Sequence, residues 1–161
     1  MNSKQKGSSF EREICRKLSL WVSEGNSDDL YWRSAMSGGR ATVRTKKGQK
    51  TTHGQGDISS VTPEGSILTD NFVIECKNYN SIGFSNFLYN KGVLKEIWSK
   101  LLKESIESNK HPLLVIKENR KPVLVCFNRN IGFIPFLCKF KQGLVVYYFD
   151  DLIKFSIMEL L

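Results

Sequence analysis

The stretch NFVIECK, residues 71–77, decides the fold of this chain. Along an extended strand the side chains alternate between two faces, so Glu75 and Lys77 share one face and the apolar residues at positions 72, 74 and 76 share the other. The apolar face predicts packing against a helical layer. A carboxylate beside an ammonium at the end of a buried strand is costly unless something binds there. An E-x-K tripeptide alone is common by chance, so other residues have to support a site here.

A second carboxylate, Asp57, precedes this strand. We predict strands over Ile58–Val61 and Ser66–Lys77, joined by a turn at Thr62–Gly65 in which Pro and Gly supply the turn dihedrals. Such a hairpin brings Asp57 beside Glu75. Two converging carboxylates repel each other unless a cation lies between them, and hard oxygen ligands favour Mg²⁺ or Mn²⁺. The alternative is an aspartate that only shapes a turn after glycine.

A third carboxylate is indicated by helical geometry. A helix is predicted from N-caps at Ser8 or Ser9 to about Ser23, because apolar residues recur there at helical spacing. Glu11 falls within the apolar arc of this helix, whereas Glu13 falls outside it. A carboxylate on a buried helix face needs a partner, which is either a metal site or a basic side chain. The alternative is a glutamate at the edge of the apolar stripe that pairs with a lysine.

The rest of the chain shows both strand and helix patterns. Segment 37–56, rich in Gly, Thr and Lys, predicts a long loop of the kind usually kept for function. The other predicted elements are a strand over Tyr31–Ser34, a helix over Phe84–Ser108 with a break near Gly92, strands over Leu113–Lys117, Pro122–Phe127, Ile131–Phe136 and Leu144–Phe149, and a helix over Asp150–Leu160.

The charge balance is strongly positive, with 24 Lys and Arg against 16 Asp and Glu, a net +8. This excess favours a polyanionic partner, and nucleic acid is the first candidate. Segment 31–56 carries six basic residues and no acidic one. We predict that these six residues bind the DNA phosphate backbone, the alternative being a solvated surface: Arg33, Arg40, Arg44, Lys46, Lys47 and Lys50.

Three further residues of this segment have two interpretations each. His53 is a candidate general base, although a loop histidine is more often solvated or in contact with phosphate. Tyr31 and Trp32 either stack on unpaired bases or, as aromatic residues more often do, pack in the core.

Length and composition predict one domain over residues 1–161, because 161 residues with 40% hydrophobic content bury one core comfortably and two with difficulty. The cysteines at positions 15, 76, 126 and 138 lie in apolar segments without zinc-ligand spacing, which predicts reduced core thiols. The N-terminus lacks an apolar signal region, and no apolar run is long enough to span a bilayer. We therefore expect a cytoplasmic protein without a membrane partner.

Four segments of the chain together resemble a known family. They are KGSSFER at Lys6–Arg12, RSAMSGG at Arg33–Gly39, GDI at Gly56–Ile58 and VIECK at Val73–Lys77. In order and approximate spacing they are similar to the archaeal-type Holliday junction resolvase branch of the PD-(D/E)xK nucleases. The resemblance covers the first half of the chain, and the second half matches in broad pattern.

This resemblance implies a restriction-endonuclease-like α/β fold, with a central mixed β-sheet flanked by helices. It implies a homodimer that cuts DNA phosphodiester bonds with Mg²⁺, or alternatively Mn²⁺. By the resemblance, Asp57 and Glu75 are metal ligands and Lys77 is the catalytic lysine. Glu11 takes the place of the glutamate of the N-terminal helix, where it binds the ion or one of its waters. Ser37 is the loop serine near the scissile phosphate.

Three functions remain open at this stage. The first is a structure-selective endonuclease, such as a junction resolvase in recombination or repair, which reads the shape of branched duplex DNA. The second is a sequence-specific endonuclease of the restriction or homing type, for which the basic loop over 40–54 could supply a base-reading element. The third is a non-catalytic DNA-binding module of the same fold. Resolving a two-fold junction needs two active sites, so the first function predicts a homodimer.

Overall fold

A computed structural model of the chain describes residues 3–34 and 55–161. In chain order the elements are α1 (Ser3–Val22), β1 (Tyr31–Arg33), β2 (Ile58–Ser60), α2 (Ser66–Thr69), β3 (Phe72–Tyr79), α3 (Phe84–Leu88), α4 (Val93–Glu107), β4 (His111–Glu118), β5 (Val123–Phe127), β6 (Cys138–Lys139), β7 (Val145–Tyr148), α5 (Phe149–Leu152) and α6 (Ile157–Leu160).

The larger sheet has five strands in the order β3-β4-β5-β7-β6. Strands β3 and β4 are parallel, with Glu75 opposite Leu114, and α3 and α4 form the crossover between them. The other pairs in this sheet are antiparallel. Strands β1 and β2 form a separate antiparallel pair, in which Trp32 lies opposite Ser59. The predicted α/β fold, a mixed β-sheet flanked by helices, is confirmed.

Both faces of the larger sheet are buried. Ile74 and Cys76 of β3 face the core cluster that contains the apolar side of α1. Val73 faces the opposite cluster, which contains Leu94 and Trp98 of α4. A strand covered on both faces is apolar throughout its buried part, as residues 112–116 of β4 show. Strand β3, which carries the E-x-K residues, thus lies between two helical layers, and its last three residues are half-buried.

The first helix begins earlier than the sequence predicts. It starts at Ser3, so Ser8 and Ser9 lie inside the helix and the prediction that one of them is its N-cap is wrong. The hydroxyl of Ser8 donates a 3.2 Å hydrogen bond to the backbone carbonyl of Gln5 in the preceding turn. Serine inside a helix commonly satisfies its hydroxyl in this way, so it does not mark the helix start.

The predicted hairpin of Ile58–Val61 with Ser66–Lys77 is also wrong. Residues 66–69 form the helical turn α2, whose Leu68 is fully buried, and β2 pairs with β1 instead. Gly65 packs so closely that an added Cβ would lie 2.8 Å from the carbonyl oxygen of Leu30. The chain therefore enters α2 in a tight contact with the β1 region, and strand β3 begins only at Phe72.

Two predictions in the second half need correction. Residues 131–136 form no strand: the Ile131 N–H donates to the side-chain hydroxyl of Tyr147 on β7, and the Phe133 N–H donates to the nearby Ile131 carbonyl, so neither group is paired with a strand backbone. The C-terminal helix is two short helices, since Ser156 caps α6 in a reciprocal capping box with Glu159. The strand predictions near β1, β4, β5 and β7 and the helix break at Gly92 are confirmed.

The four cysteines are free thiols, of which Cys15, Cys76 and Cys126 are buried and Cys138 is half-buried. Burial, together with the nearby charge of Glu11, raises the pKa of Cys15 to about 12. Burial also raises the pKa of the other three thiols, so all four are protonated at neutral pH. Among the described residues, no helix has the length and apolar character to cross a membrane.

Candidate active site

The site is built around Lys77, whose ammonium lies between two carboxylates. Its Nζ is 2.9 Å from Oδ2 of Asp57 and 2.5 Å from Oε1 of Glu75. Both carboxylate side chains are only 10% exposed. The backbone N–H of Cys76 donates a further 2.9 Å hydrogen bond to Oδ2 of Asp57. The structure thus brings together the three residues Asp57, Glu75 and Lys77 that the sequence singles out.

Asp57 reaches this position through its backbone. Its N–H donates a 2.7 Å hydrogen bond to the carbonyl of Ile74, and its carbonyl accepts a 2.9 Å hydrogen bond from the N–H of Ser34. Gly56 has φ +78°, and a Cβ built on it would lie 2.4 Å from the Ile74 carbonyl oxygen. Only glycine allows this close approach in a left-handed conformation. The Gly-Asp pair therefore holds the carboxylate against β3 although no hairpin connects them.

The electrostatics of the site follow from burial and crowding. Burial raises the pKa of Glu75 above its ordinary value, the charge of Asp57 raises it further, and the charge of Lys77 opposes both effects. Burial lowers the pKa of Lys77, but the two carboxylates outweigh burial and raise that pKa above its ordinary value. Lys77 is therefore an ammonium at neutral pH. Two carboxylates against one ammonium leave a net negative charge when all three are ionised.

The donor set fits a hard divalent cation. Carboxylate oxygens suit Mg²⁺ or Mn²⁺, and Mg²⁺ is commonly held by one or two carboxylates with water and substrate phosphate as its remaining ligands. Asp57 and Glu75 supply two such carboxylates. Within residues 3–34 and 55–161, no third His, Cys, Asp or Glu joins them in a metal-binding group. The described part of the chain thus offers two protein ligands.

Glu11 is placed apart from this pair. Its carboxylate accepts a hydrogen bond from Nε of Arg33, so α1 and β1 are joined by a partly buried ion pair. Of the two partners that the sequence predicts for Glu11, the structure shows the basic side chain. Glu11 nevertheless lines the same cavity as Lys77, a space of about 440 Å³ between the start of α1 and the end of β3.

Several predicted site residues lie outside the described residues. These are residues of the segment that the sequence predicts to be a loop: Ser37, Arg40, Arg44, Lys46, Lys47, Lys50 and His53. Of the two aromatic residues of β1, Tyr31 is buried in the core, as the more common behaviour of aromatic residues predicts. Trp32 is 61% exposed, and its indole N–H donates to the Asp29 carboxylate.

The cavity is also lined by residues that the sequence pattern did not identify as functional. They are Lys6, Gly7 and residues 78–81. The Lys6 ammonium donates a 3.0 Å hydrogen bond to Oδ1 of Asn80 and another to Oδ1 of Asn119. The side-chain NH₂ of Asn119 donates to the same Asn80 oxygen at 2.8 Å. The only sequence signal for this group is the position of Lys6 at the start of the KGSSFER segment.

A mixed sheet whose strand end carries E-x-K, with an aspartate after glycine brought alongside, defines the PD-(D/E)xK class of nucleases. The family described as "Phage putative PDDEXK endonuclease" matches residues 2–139, and the chain belongs to this family. The superfamily predicted from the sequence is thereby confirmed. No curated protein and no solved structure matches the chain.

Proposed function

We propose that this chain is a divalent metal-dependent endonuclease that hydrolyses DNA phosphodiester bonds. Its active site would be formed by Asp57, Glu75 and Lys77. One observation carries the proposal: a charged lysine lies between two buried carboxylates at the end of a β-strand, in a chain that belongs to an endonuclease family. Burying three charges costs free energy that a structural role alone does not require. A reaction centre accounts for their retention at one point.

In this proposal Asp57 and Glu75 hold the metal ion. When bound, Mg²⁺ or Mn²⁺ polarises a phosphate oxygen and lowers the pKa of a water molecule. The Asp57 ligand is held in place, because the Cys76 N–H donates to its carboxylate and its own backbone N–H donates to the Ile74 carbonyl. The donor atoms therefore need little reorganisation before the reaction.

Lys77 stabilises charge in this proposal and does not act as a base. Its raised pKa keeps it protonated at neutral pH, so it offers hydrogen bonds and a positive charge to the scissile phosphate or to the attacking water. A donor aimed at developing negative charge in a partly water-excluded site contributes more than the same donor in water. The two carboxylates hold this ammonium in place before DNA binds.

Glu11 and the basic residues complete the proposed site. Glu11 orients Arg33 through their ion pair. It also lines the cavity with Lys77, where its carboxylate would bind the ion or one of the ion's water ligands. Arg33, Arg40, Arg44, Lys46, Lys47 and Lys50 are proposed to bind phosphates along the strand, and Ser37 is proposed to lie near the scissile phosphate. Contacts of this kind give affinity without base readout.

The finer proposal is that the substrate is branched duplex DNA, cut by a homodimer. Its support is the resemblance of the four sequence segments to junction resolvases, together with the net charge of +8. Two symmetric cuts across a four-way junction require two equivalent active sites, which a two-fold dimer supplies.

The test is cleavage of a labelled four-way junction and of linear duplex DNA in Mg²⁺ or Mn²⁺. The Glu75→Gln variant removes the charge but keeps the shape. Glu107→Gln on α4 is the matched control, because Glu107 pairs with Lys103 on the exposed side of that helix. We expect paired cuts near the branch with the wild type and Glu107→Gln, and none with Glu75→Gln. Site-restricted cuts in linear duplex would instead support a restriction or homing function. DNA bound equally by all three proteins and left intact would support the non-catalytic module.

A further inference from the structure

The cavity beside the reaction centre has a second polar group that the proposed chemistry does not use. Lys6 on α1, Asn80 after β3 and Asn119 after β4 form a connected cluster, hereafter the Lys6 cluster. Its residues come from three separate parts of the chain. Lys6 and Asn80 line the same cavity of about 440 Å³ as Lys77 and Glu11.

The charge in the Lys6 cluster is not neutralised by an acid. Within the described residues, Lys77 is paired with two carboxylates and Arg33 with Glu11, whereas the acceptors around Lys6 are two neutral amide oxygens. Amide oxygens hold an ammonium in position but leave its full charge for another ligand. Among the residues that the structure describes, Lys6 therefore supplies this cavity with a positive charge that no carboxylate neutralises.

The hydrogen-bond donors of the cluster point to an anion as its ligand. An ammonium has three N–H donors, and the two asparagine oxygens accept two of them. Because an ammonium only donates, the Asn80 atom that faces it must be the oxygen, which directs the Asn80 side-chain NH₂ away from Lys6. That NH₂ has no acceptor within residues 3–34 and 55–161. One ammonium hydrogen and one amide NH₂ thus remain to bind a phosphate oxygen.

The cluster is also held in place before a ligand arrives. The buried Glu118 carboxylate accepts a 2.5 Å hydrogen bond from the Ile82 N–H, which fixes the segment that follows Asn80. The Asn119 N–H donates a 3.1 Å hydrogen bond to the Tyr79 carbonyl, which fixes Asn119 beside the end of β3. A preorganised polar site binds its ligand at a lower entropic cost.

We propose that the Lys6 cluster is a second phosphate subsite, which binds a phosphate flanking the scissile one in the same DNA strand. This inference rests on the proposed endonuclease function and adds to it the path of the strand along the cavity. The residues from Lys77 to Asn80 follow one another along the extended end of β3, which advances about 3.3 Å per residue. The subsite therefore lies about 10 Å beyond Lys77.

The test measures binding of a fluorescein-labelled mixed-sequence duplex, longer than two helical turns, in EDTA at several salt concentrations. Lys6→Gln removes the cluster's charge. Lys103→Gln is the matched control, because it removes one charge from the solvent side of α4, which packs on the other face of the sheet. Asn119→Asp is a second variant, which keeps Lys6 but neutralises it with a carboxylate. Thermal unfolding of each variant checks that it folds.

We expect Lys6→Gln and Asn119→Asp to weaken binding about five- to tenfold near 0.1 M salt and to make the slope of log affinity against log salt shallower by about 0.9. Lys103→Gln should match the wild type in both. The subsite would be overturned if Lys6→Gln had the same salt slope as the wild type, or if Lys6→Gln and Lys103→Gln lost the same amount of affinity. Cleavage in Mg²⁺ tests the proposed function separately. A wild type that binds no DNA in EDTA would overturn the subsite, and one that also fails to cleave DNA in Mg²⁺ or Mn²⁺ would overturn both.

Discussion

The backbone N–H of Asp57 donates a 2.7 Å hydrogen bond to the carbonyl of Ile74, directly beside the E-x-K residues of β3. This bond brings the Asp57 carboxylate next to Lys77 although β2 and β3 do not pair. It requires the preceding residue to approach the same carbonyl without a side chain. Gly56 is therefore as much a part of the site as the charged residues.

Gly56→Ala should lower the free energy of unfolding by about 3 kcal/mol. Alanine disfavours the left-handed backbone conformation at this position, and its Cβ would collide with the Ile74 backbone. It should also abolish cleavage, because Asp57 moves with residue 56. Gly132→Ala is the matched control, since Gly132 has φ +80° but open space around its Cα. Chemical denaturation and a nuclease assay give the comparison. Equal losses of stability and activity in the two variants would show that the close approach at Gly56 is unimportant.

Lys77→Met should lower the free energy of unfolding by about 3 kcal/mol, because it leaves two buried carboxylates facing each other without a positive charge. Added Mg²⁺ should raise the melting temperature of this variant more than that of the wild type, since a bound ion replaces the lost charge. The control is Lys117→Met, which removes a lysine paired with the single carboxylate of Glu13. A Mg²⁺ effect of the same size in all three proteins would argue against a cation site at Asp57 and Glu75.

The ion pair between Glu11 and Arg33 should be energetically coupled. A double-mutant cycle with Glu11→Gln and Arg33→Gln should give a coupling free energy of about 1 kcal/mol in chemical denaturation, because the pair is mostly shielded from water. The Arg16 and Asp28 pair, with side chains 68% and 56% exposed, is the control and should give less than about 0.5 kcal/mol. Additive effects of the two Glu11 and Arg33 substitutions would mean that Glu11 does not hold Arg33.

Glu118 should contribute to the pH dependence of stability. Burial raises the pKa of Glu118, but hydrogen bonds from Lys121, Ile82 N–H and Ser81 outweigh burial and lower that pKa below its ordinary value. A carboxyl with a lowered folded-state pKa stabilises the fold above its unfolded-state pKa and loses this contribution as the pH falls through the folded-state pKa.

Glu118→Gln should therefore be less stable than the wild type at pH 7. The difference in free energy of unfolding should shrink as the pH is lowered from about 4.5. Denaturant titrations at several pH values measure this difference. Glu159→Gln, which changes an exposed glutamate in the capping box of α6, serves as the comparison. A difference that stayed constant between pH 7 and pH 3 would show that the Glu118 contribution does not depend on its charge.

The central part of the site was predictable because it depends on local patterns. The alternation along β3 places Glu75 and Lys77 on one face, and the Gly-Asp pair marks a second carboxylate. The predicted route was wrong, however, because Asp57 reaches β3 through its backbone and not through a hairpin. The buried Leu68 makes the start of the predicted second strand look like a strand, although it forms a helical turn.

The remaining features depend on contacts between distant parts of the chain. The choice of Arg33 as the partner of Glu11 depends on how α1 packs against β1, which no periodicity in the sequence reports. Asn80 and Asn119 are polar residues at strand ends, where the sequence pattern indicates only a turn. They meet Lys6 because β3 and β4 are parallel and end together beside α1.

The most direct test of the proposed reaction centre is the rate of strand cleavage as Mg²⁺ is titrated, for the wild type, Glu75→Gln and Glu107→Gln on supercoiled, linear and branched DNA. We expect cleavage to require Mg²⁺ or Mn²⁺, to be at least about 100-fold slower in Glu75→Gln, and to be unchanged in Glu107→Gln. Cleavage by Glu75→Gln at the wild-type rate, or wild-type cleavage that persists in EDTA, would contradict this expectation.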